Sequence, residues 1–185
     1  MCAPADPNAG GLSRRAWLQA SGAGALTIAF GPAGLLAAAP ATAAADDAAT
    51  ALAPNAWLRI GPDGAVYVRI STTEMGQGTE TGLAMIFADE LDADWSRVRV
   101  STLRPDGKRF MITSGSYSIE VAWTPARRAA AAAREMLHAA GAARLGVPLD
   151  ACRTENHAVV HAARGRRVAY GELVADAARL PVPTE

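Results

Sequence analysis

Residues 73–78 place two glycines on either side of one amide side chain, between a strand-like run and a helix-like run. The run Val66–Ile70 alternates apolar and polar residues, whereas residues 83–91 carry apolar side chains at helical spacing. Glycine lets a backbone adopt positive φ or lie close to a ligand, and the first N–H groups of a helix attract oxyanions. We therefore expect this stretch to hold a polar ligand. The predicted contacts are Gly76, Gln77 and Gly78.

Two other interpretations of the glycine stretch stay open. A Gly-x-Gly before a helix can be no more than a tight connection. With Gly82, the glycines also form G-x-G-x-x-x-G, which is similar to a dinucleotide-binding turn. That turn requires a buried strand leading directly into the first glycine and an acidic residue at the end of the next strand. Residues 71–75 intervene here and the next strand-like run ends at Ser101, so the dinucleotide interpretation is the weaker one.

The N-terminal residues predict an export leader. Residues 13–19 form a twin-arginine pattern, an apolar run follows over residues 20–30, and small residues near position 43 offer A-x-A cleavage sites. Glycines and a proline interrupt the apolar run, which argues against a permanent membrane anchor. We predict a signal peptide at residues 1–45, a linker at 46–55 and a domain at 56–185. The twin-arginine route exports folded proteins, so we expect a periplasmic or exported protein, and this route suits one with a buried prosthetic group.

Composition narrows the class of partner and of chemistry. The chain has 185 residues, half of them hydrophobic, with 18 basic and 18 acidic side chains, which suits one core and excludes nucleic acid as the main partner. Cys2 falls in the predicted leader, so Cys152 is expected to be a core residue. The three histidines lack zinc spacing and are expected to be ordinary surface or interface residues. We predict no catalytic and no metal-ligating residue in this chain.

The apolar pattern predicts an α/β fold (α+β-like), in which a small mixed sheet of hairpins packs against helices. Arg59 and Arg69 are expected on a solvated polar face of the first hairpin. Four acidic residues near position 90 are expected at a solvated helix end. The predicted strands cover residues 57–60, 66–70, 95–101, 158–160 and 166–168, and the predicted helices cover residues 83–91, 124–145 and 170–180.

A second candidate segment ends the long polar connection over residues 102–118. Its last residues are rich in hydroxyls, and Thr124 with Pro125 is a typical start for the helix that follows. Hydroxyls and free N–H groups near a helix start suit a phosphate group. The alternative is that these serines only cap and turn the chain.

Several of these motifs together resemble a known family. Residues 74–78 resemble the molybdopterin-binding motif of the xanthine dehydrogenase and aldehyde oxidase family. The wider pattern resembles the isoquinoline 1-oxidoreductase β-subunit type of large subunit and spans essentially the whole chain in order. Besides the twin-arginine signal, it comprises residues 55–60, 90–95, 115–118, 123–128 and 170–173.

The resemblance implies a molybdenum hydroxylase, in which water supplies oxygen to an N-heterocycle or an aldehyde and electrons leave through a small [2Fe–2S] subunit. It implies the molybdenum cofactor, molybdopterin, in its cytosine dinucleotide form. Gln77, with Gly76 and Gly78, would contact the cofactor near its metal end. The pterin or the phosphate-bearing tail would contact Gly115, Ser116 and Ser118.

The large subunits of this family are several times longer than this chain. The resemblance therefore implies a partial molybdopterin-binding domain, the N-terminal portion of a large subunit, that cannot turn over alone. Its partners would be the remainder of the large subunit, the iron–sulfur subunit and a small-molecule substrate. The alternative is an exported non-catalytic remnant, or a protein-binding module, that folds without cofactor.

Overall fold

The computed structural model describes residues 26–31, 34–40, 56–102 and 113–183. The strands are β1 (Leu26–Gly31), β2 (Gly34–Pro40), β3 (Ala56–Ile60), β4 (Val66–Ile70), β5 (Val98–Thr102), β6 (Arg153–Glu155), β7 (Ala158–His161) and β8 (Arg166–Ala169). The helices are α1 (Thr79–Glu90), α2 (Tyr117–Leu145) and α3 (Tyr170–Ala177). The predicted combination of small sheets and packed helices is confirmed.

The larger sheet has the strand order β2-β1-β3-β4-β5. The predicted hairpin of β3 and β4 is confirmed, because the two strands pair antiparallel with Leu58 opposite Val68 and Ile60 opposite Val66. These four side chains are almost completely buried on one face of the sheet. At the turn, the N–H of Gly61 donates to the carbonyl of Ala65 at 2.9 Å. The alternating pattern therefore does supply the apolar face of the core.

The connection from β4 to β5 passes through α1 and makes the two strands parallel, with Val66 beside Val98 and Ile70 beside Thr102. The carboxyl ends of both strands therefore lie at the same edge of the sheet. The predicted strand over 95–101 is wrong at its start. Residues Trp95–Arg97 form a short 3₁₀ turn, because the side chain of Asp94 accepts the N–H of Ser96 and caps that turn.

Helix α2 begins earlier than expected. Thr124 and Pro125 do not start it, since the helix runs from Tyr117 to Leu145 and contains Pro125 in its interior. The apolar stripe extends upstream of the proline, where Ala122 is 2 % exposed, and Ala126 just beyond the proline is fully buried. Burial of this stripe outweighs the hydrogen bond that a proline removes. The alanine-rich face of the helix is buried.

The outer face of the larger sheet departs from the expectation of solvated arginines. Arg59 is only 2 % exposed, and its guanidinium lies over the ring of Tyr67 at 4.1 Å from the centroid. Strand β1 places Thr27 opposite Arg59 on one side and β4 places Tyr67 opposite it on the other. Burial lowers the pKa of the Arg59 guanidinium. Cation–π stacking between neighbouring strands therefore replaces the expected hydration.

Strands β6, β7 and β8 form a second, antiparallel sheet. The predicted hairpin of β7 and β8 is confirmed, while β6 is an additional strand. A two-residue turn joins β6 to β7, with φ of 43° at Asn156 and 67° at His157. Positive φ at both positions is the geometry of a type I′ turn. The sequence gives no sign of this turn because His157 occupies the position usually held by glycine.

The second sheet and the first residue of α3 form hydrogen bonds to the residues that follow α1. The N–H of His157 donates to the carbonyl of Asp92 at 2.7 Å, and the hydroxyl of Tyr170 donates to the carbonyl of Leu91 at 2.9 Å. The histidines were expected to be surface or interface residues; His157 and His161 do not lie on the surface, since they are 5 % and 6 % exposed. The expectation that Cys152 is a core residue is confirmed by its burial.

Strands β1 and β2 lie within the segment predicted to be the export leader, and β1 pairs antiparallel with β3. Loss of the leader would therefore convert β3 into an edge strand. The leader itself remains a prediction, since the twin-arginine residues lie outside the described residues. Within the described ranges, no helix is long and apolar enough to cross a membrane.

Gly141 provides a test of the packing between α2 and the second sheet. A Cβ at Gly141 would lie 2.5 Å from Cβ of Val159, so Gly141→Ala overpacks this contact. We expect a loss of about 1–3 kcal/mol in the free energy of unfolding, measured by urea denaturation. The control Ala143→Ser, on the exposed side of the same turn, should change it by less than about 0.5 kcal/mol. Equal stability of the two variants would contradict this packing.

Candidate functional site

The two predicted cofactor-binding segments meet at the edge of the larger sheet where the parallel strands β4 and β5 end. One segment follows β4 directly, and the other follows β5 after residues 103–112, which lie outside the described residues. The N–H of Thr73 donates to the hydroxyl oxygen of Thr113 at 2.9 Å, which ties the two segments together. In open α/β sheets, ligands bind outside the carboxyl ends of the strands. The structure therefore brings both segments to one edge of the sheet, where ligands bind in this class of fold.

Both segments lead into helices that run side by side in the same direction. Near their starts, a Cβ at Gly82 would lie 3.2 Å from Cδ1 of Ile119. Further along, Glu90 at the end of α1 accepts a hydrogen bond from Arg127 at 2.8 Å and lies 3.4 Å from Arg134. Parallel helices direct the positive ends of both dipoles to the same side. The edge of the sheet thus combines two helix N-termini.

The glycines around Gln77 have the geometry expected of a ligand-facing loop. Gly76 has a φ of 96° and Gly78 a φ of 78°. A Cβ built at either glycine would have no neighbouring atom within 4 Å, so both backbones face open space. Gly76, Gln77 and Gly78 are all exposed. This open backbone surface fits the approach of a bulky prosthetic group.

The amide of Gln77 is held within its own loop. Its Oε1 accepts the N–H of Met75 at 2.6 Å, and its Nε2 donates to the carbonyl of Thr73 at 2.7 Å. A glutamine amide has two N–H groups and two acceptor lone pairs. Each end of the Gln77 amide therefore retains one hydrogen-bonding position for a ligand, and its orientation is already fixed.

The carboxylate of Glu74 lies at the start of α1, where the sequence predicts a bound oxyanion. Its Oε1 accepts the N–H groups of Gly76 at 2.8 Å and Gly78 at 3.0 Å, and its Oε2 accepts the N–H of Glu80 at 3.0 Å. The backbone N–H of Glu80, and then that of Gly78, hold the pKa of the Glu74 carboxyl below its ordinary value. The N–H groups at the start of α1 thus serve an internal carboxylate, although they were expected to attract an oxyanion.

The second segment presents the hydroxyl of Ser116 and one constrained glycine. Ser116 precedes α2 with a φ of 59° and makes no capping hydrogen bond through its side chain. Ser116 therefore lies in the turn before α2 without capping the helix through its hydroxyl, and the alternative that these serines cap and turn the chain stays open. Gly115 has a φ of 58°, and a Cβ there would lie 2.8 Å from the ring of Tyr117. Ser118 is half-buried in the first turn of α2.

Other polar clusters serve the fold. Glu90 and Asp92 form ion pairs with arginines of α2, which corrects the expectation of a purely solvated acidic helix end. In the described ranges, no group of three or more histidine, cysteine or acidic side chains could hold a metal ion. A cleft of about 280 Å³ contains none of the predicted contact residues. It is lined by Arg134, Glu135, His138, Cys152, Arg153 and Thr154.

Comparison with solved structures gives the same fold for this part of the chain. Quinoline 2-oxidoreductase from Pseudomonas putida 86 matches 68 % of this chain and 17 % of its own, with a TM-score of 0.52 and 27 % identity. Reconstituted CO dehydrogenase from Oligotropha carboxidovorans matches 65 % of this chain and 15 % of its own, with a TM-score of 0.54 and 26 % identity.

Curated relatives extend the similarity. Isoquinoline 1-oxidoreductase subunit beta of Brevundimonas diminuta is 36 % identical over 180 residues, which is 93 % of this chain and 23 % of the relative. The membrane-bound aldehyde dehydrogenase [pyrroloquinoline-quinone] of Gluconacetobacter polyoxogenes is 40 % identical over 126 residues, which is 68 % of this chain and 16 % of the relative. This chain therefore spans less than a quarter of the length of either relative.

A family model described as the molybdopterin cofactor-binding domain matches residues 8–185. The match includes both loops at the carboxyl ends of β4 and β5 and the helices that follow them. The chain therefore belongs to the molybdopterin cofactor-binding domain family.

Proposed function

We propose that this chain forms part of the cofactor site in the large subunit of a molybdenum hydroxylase. The enzyme would hydroxylate an N-heterocycle or an aldehyde, with water as the oxygen source. The observation that carries the proposal is the hydrogen bond from Thr73 to Thr113, because it unites the two predicted contact segments at one sheet edge. Membership of the molybdopterin cofactor-binding domain family supports the same assignment.

The residues at this edge suit different parts of the cofactor. The open backbones of Gly76 and Gly78 permit close approach, and the fixed amide of Gln77 offers one donor and one acceptor to the pterin or to an oxo group. Ser116 and Ser118, with Gly115, would contact the phosphate-bearing tail near the start of α2. When bound, the cofactor supplies the redox chemistry and the activation of water.

The proposal extends to parts of the enzyme outside this sequence. Since the chain spans only 23 % of the isoquinoline 1-oxidoreductase subunit, we infer that turnover requires further regions, including the one that holds the substrate. The cytosine dinucleotide form of the cofactor and a small [2Fe–2S] subunit as electron acceptor follow from the resemblance to that enzyme type. Export to the periplasm follows from the twin-arginine pattern.

Cofactor analysis separates this proposal from its alternatives. The complete protein purified from its native host should contain molybdenum and a pterin in equal amounts. A preparation with neither would indicate the non-catalytic alternative, a protein-binding module. Pyrroloquinoline quinone in their place would indicate the cofactor named in the Gluconacetobacter relative.

Gly78 and Gly146 form a matched pair for testing the open backbone surface. Both have positive φ, 78° and 67°, and a Cβ at either would meet no atom within 4 Å. Alanine should therefore cost each position about 1–2 kcal/mol of stability through backbone strain alone. Only Gly78→Ala should also lower the molybdenum content of the purified protein. Equal molybdenum content in the two variants would contradict a cofactor beside Gly78.

Gln77→Ala tests the amide directly. It removes the donor and the acceptor that remain for a ligand, so we expect the cofactor to dissociate about three- to tenfold more readily if either one forms a hydrogen bond to the cofactor. Molybdenum retained after gel filtration of the complete protein measures the effect. Thr81→Ala, an exposed change in the first turns of α1, is the control. Retention equal to wild type in Gln77→Ala would remove this residue from the site.

The export proposal is tested by Arg14→Lys combined with Arg15→Lys, which keeps the charge and removes the twin-arginine pattern. We expect the protein to accumulate in the cytoplasm, as shown by cell fractionation and immunoblotting. The same exchange at the exposed pair Arg127 and Arg128 should leave export unchanged. Normal periplasmic accumulation of the first variant would refute the signal.

A further inference from the structure

The loop that carries Gln77 receives little support from the rest of the protein. Its two glycines have positive φ, and a Cβ at either would contact nothing. Met75, on the outer side of the loop, is 70 % exposed. Glycine loses more conformational freedom on ordering than any other residue, so an unsupported loop of this kind would sample many conformations. Some local interaction must therefore hold the amide in place.

The carboxylate of Glu74 provides that interaction. One of its oxygens accepts the N–H groups of Gly76 and Gly78, which are the residues on either side of Gln77. The other oxygen accepts the N–H of Glu80 in the first turn of α1, at 3.0 Å. A single side chain thus fixes both flanking peptide units and joins them to a rigid helix. Hydrogen bonds to an ionised carboxylate are about twice as strong as neutral ones.

The two hydrogen bonds of the Gln77 amide join parts of the same loop. The amide bridges the N–H of Met75 and the carbonyl of Thr73, on the side of the loop where Thr73 is tied to Thr113. The Glu74 carboxylate fixes the opposite side, through Gly76 and Gly78. The orientation of the amide therefore depends on a carboxylate that does not touch it.

We propose that Glu74 is a positioning residue, which holds the residue 74–80 loop so that the amide of Gln77 meets the cofactor in one orientation. The inference rests on the proposed function. It also implies that the start of α1 does not receive a cofactor oxyanion, because the N–H groups of Gly78 and Glu80 already donate to Glu74 and a negative charge lies there. The loop contacts the ligand through an amide and open glycine backbone.

The test compares Glu74→Gln with Glu80→Gln in the complete protein. Both variants lose one negative charge at the start of α1. Among the residues that the structure describes, the carboxylate of Glu80 accepts the hydroxyl of Thr102 at 3.0 Å, and the backbone N–H of Glu80 is retained in the variant. Hydrogen–deuterium exchange of residues 74–80 is measured in protein from a host that cannot make molybdopterin, with the amides of β4 as a reference. Cofactor content is measured in protein from a competent host.

Glu74→Gln should raise the exchange rate of residues 74–80 about tenfold or more, with β4 unchanged, because three N–H groups lose a charged acceptor. It should also lower the cofactor content. In the wild type, hydrogen bonds from backbone N–H groups hold the pKa of the Glu74 carboxyl below its ordinary value. Protection of this loop should therefore persist at the ordinary pKa of a glutamate and be lost as the pH falls through the lowered pKa. The Glu74→Gln loop should show no such step.

Exchange in Glu74→Gln equal to that in Glu80→Gln, or wild-type cofactor content in a loosened Glu74→Gln loop, would overturn the positioning role. Absence of molybdopterin from the wild type produced in the competent host would instead overturn the proposed function. The exchange measurement uses cofactor-free protein, so the two failures are distinguishable.

Discussion

The parallel pairing of β4 with β5 determines the arrangement of the whole site. Because Ile70 and Thr102 lie side by side at the ends of these strands, the loops that leave them start from one edge of the sheet. The helices after those loops then run in the same direction, and both helix starts reach this edge. An antiparallel pairing would have separated the two loops by the length of a strand. The hydrogen bond between Thr73 and Thr113 joins loops that the sheet has already brought together.

Much of this fold follows from local sequence patterns, and the failures have physical causes. Alternation in Val66–Ile70 and the glycine turn before it define the hairpin, because side-chain period and turn chemistry agree. The start of α2 was misplaced because a typical helix-starting pair, Thr124 and Pro125, lies within a longer buried stripe. The burial of Arg59 depends on its pairing with β1 and on the ring of Tyr67. The sequence around Arg59 predicts neither of these contacts.

Local sequence patterns also predict part of the candidate site. Gly76 and Gly78 could be predicted from the sequence because glycine is the residue that adopts positive φ without strain. Both have positive φ in an open region. Glu74 was missed as a structural residue, since a carboxylate that accepts N–H groups two, four and six residues further on is no standard capping motif.

The attachment of α1 at its far end has a consequence for the site. Tyr170 and His157 hold the carbonyls of Leu91 and Asp92, while the opposite end of the same helix carries the loop with Gln77. The end of α1 is thus held by hydrogen bonds from residues far downstream in the chain. The rigidity of the loop at one end of α1 therefore depends on hydrogen bonds at the other end, and substitutions at Tyr170 or His157 would loosen that loop without altering any residue in it.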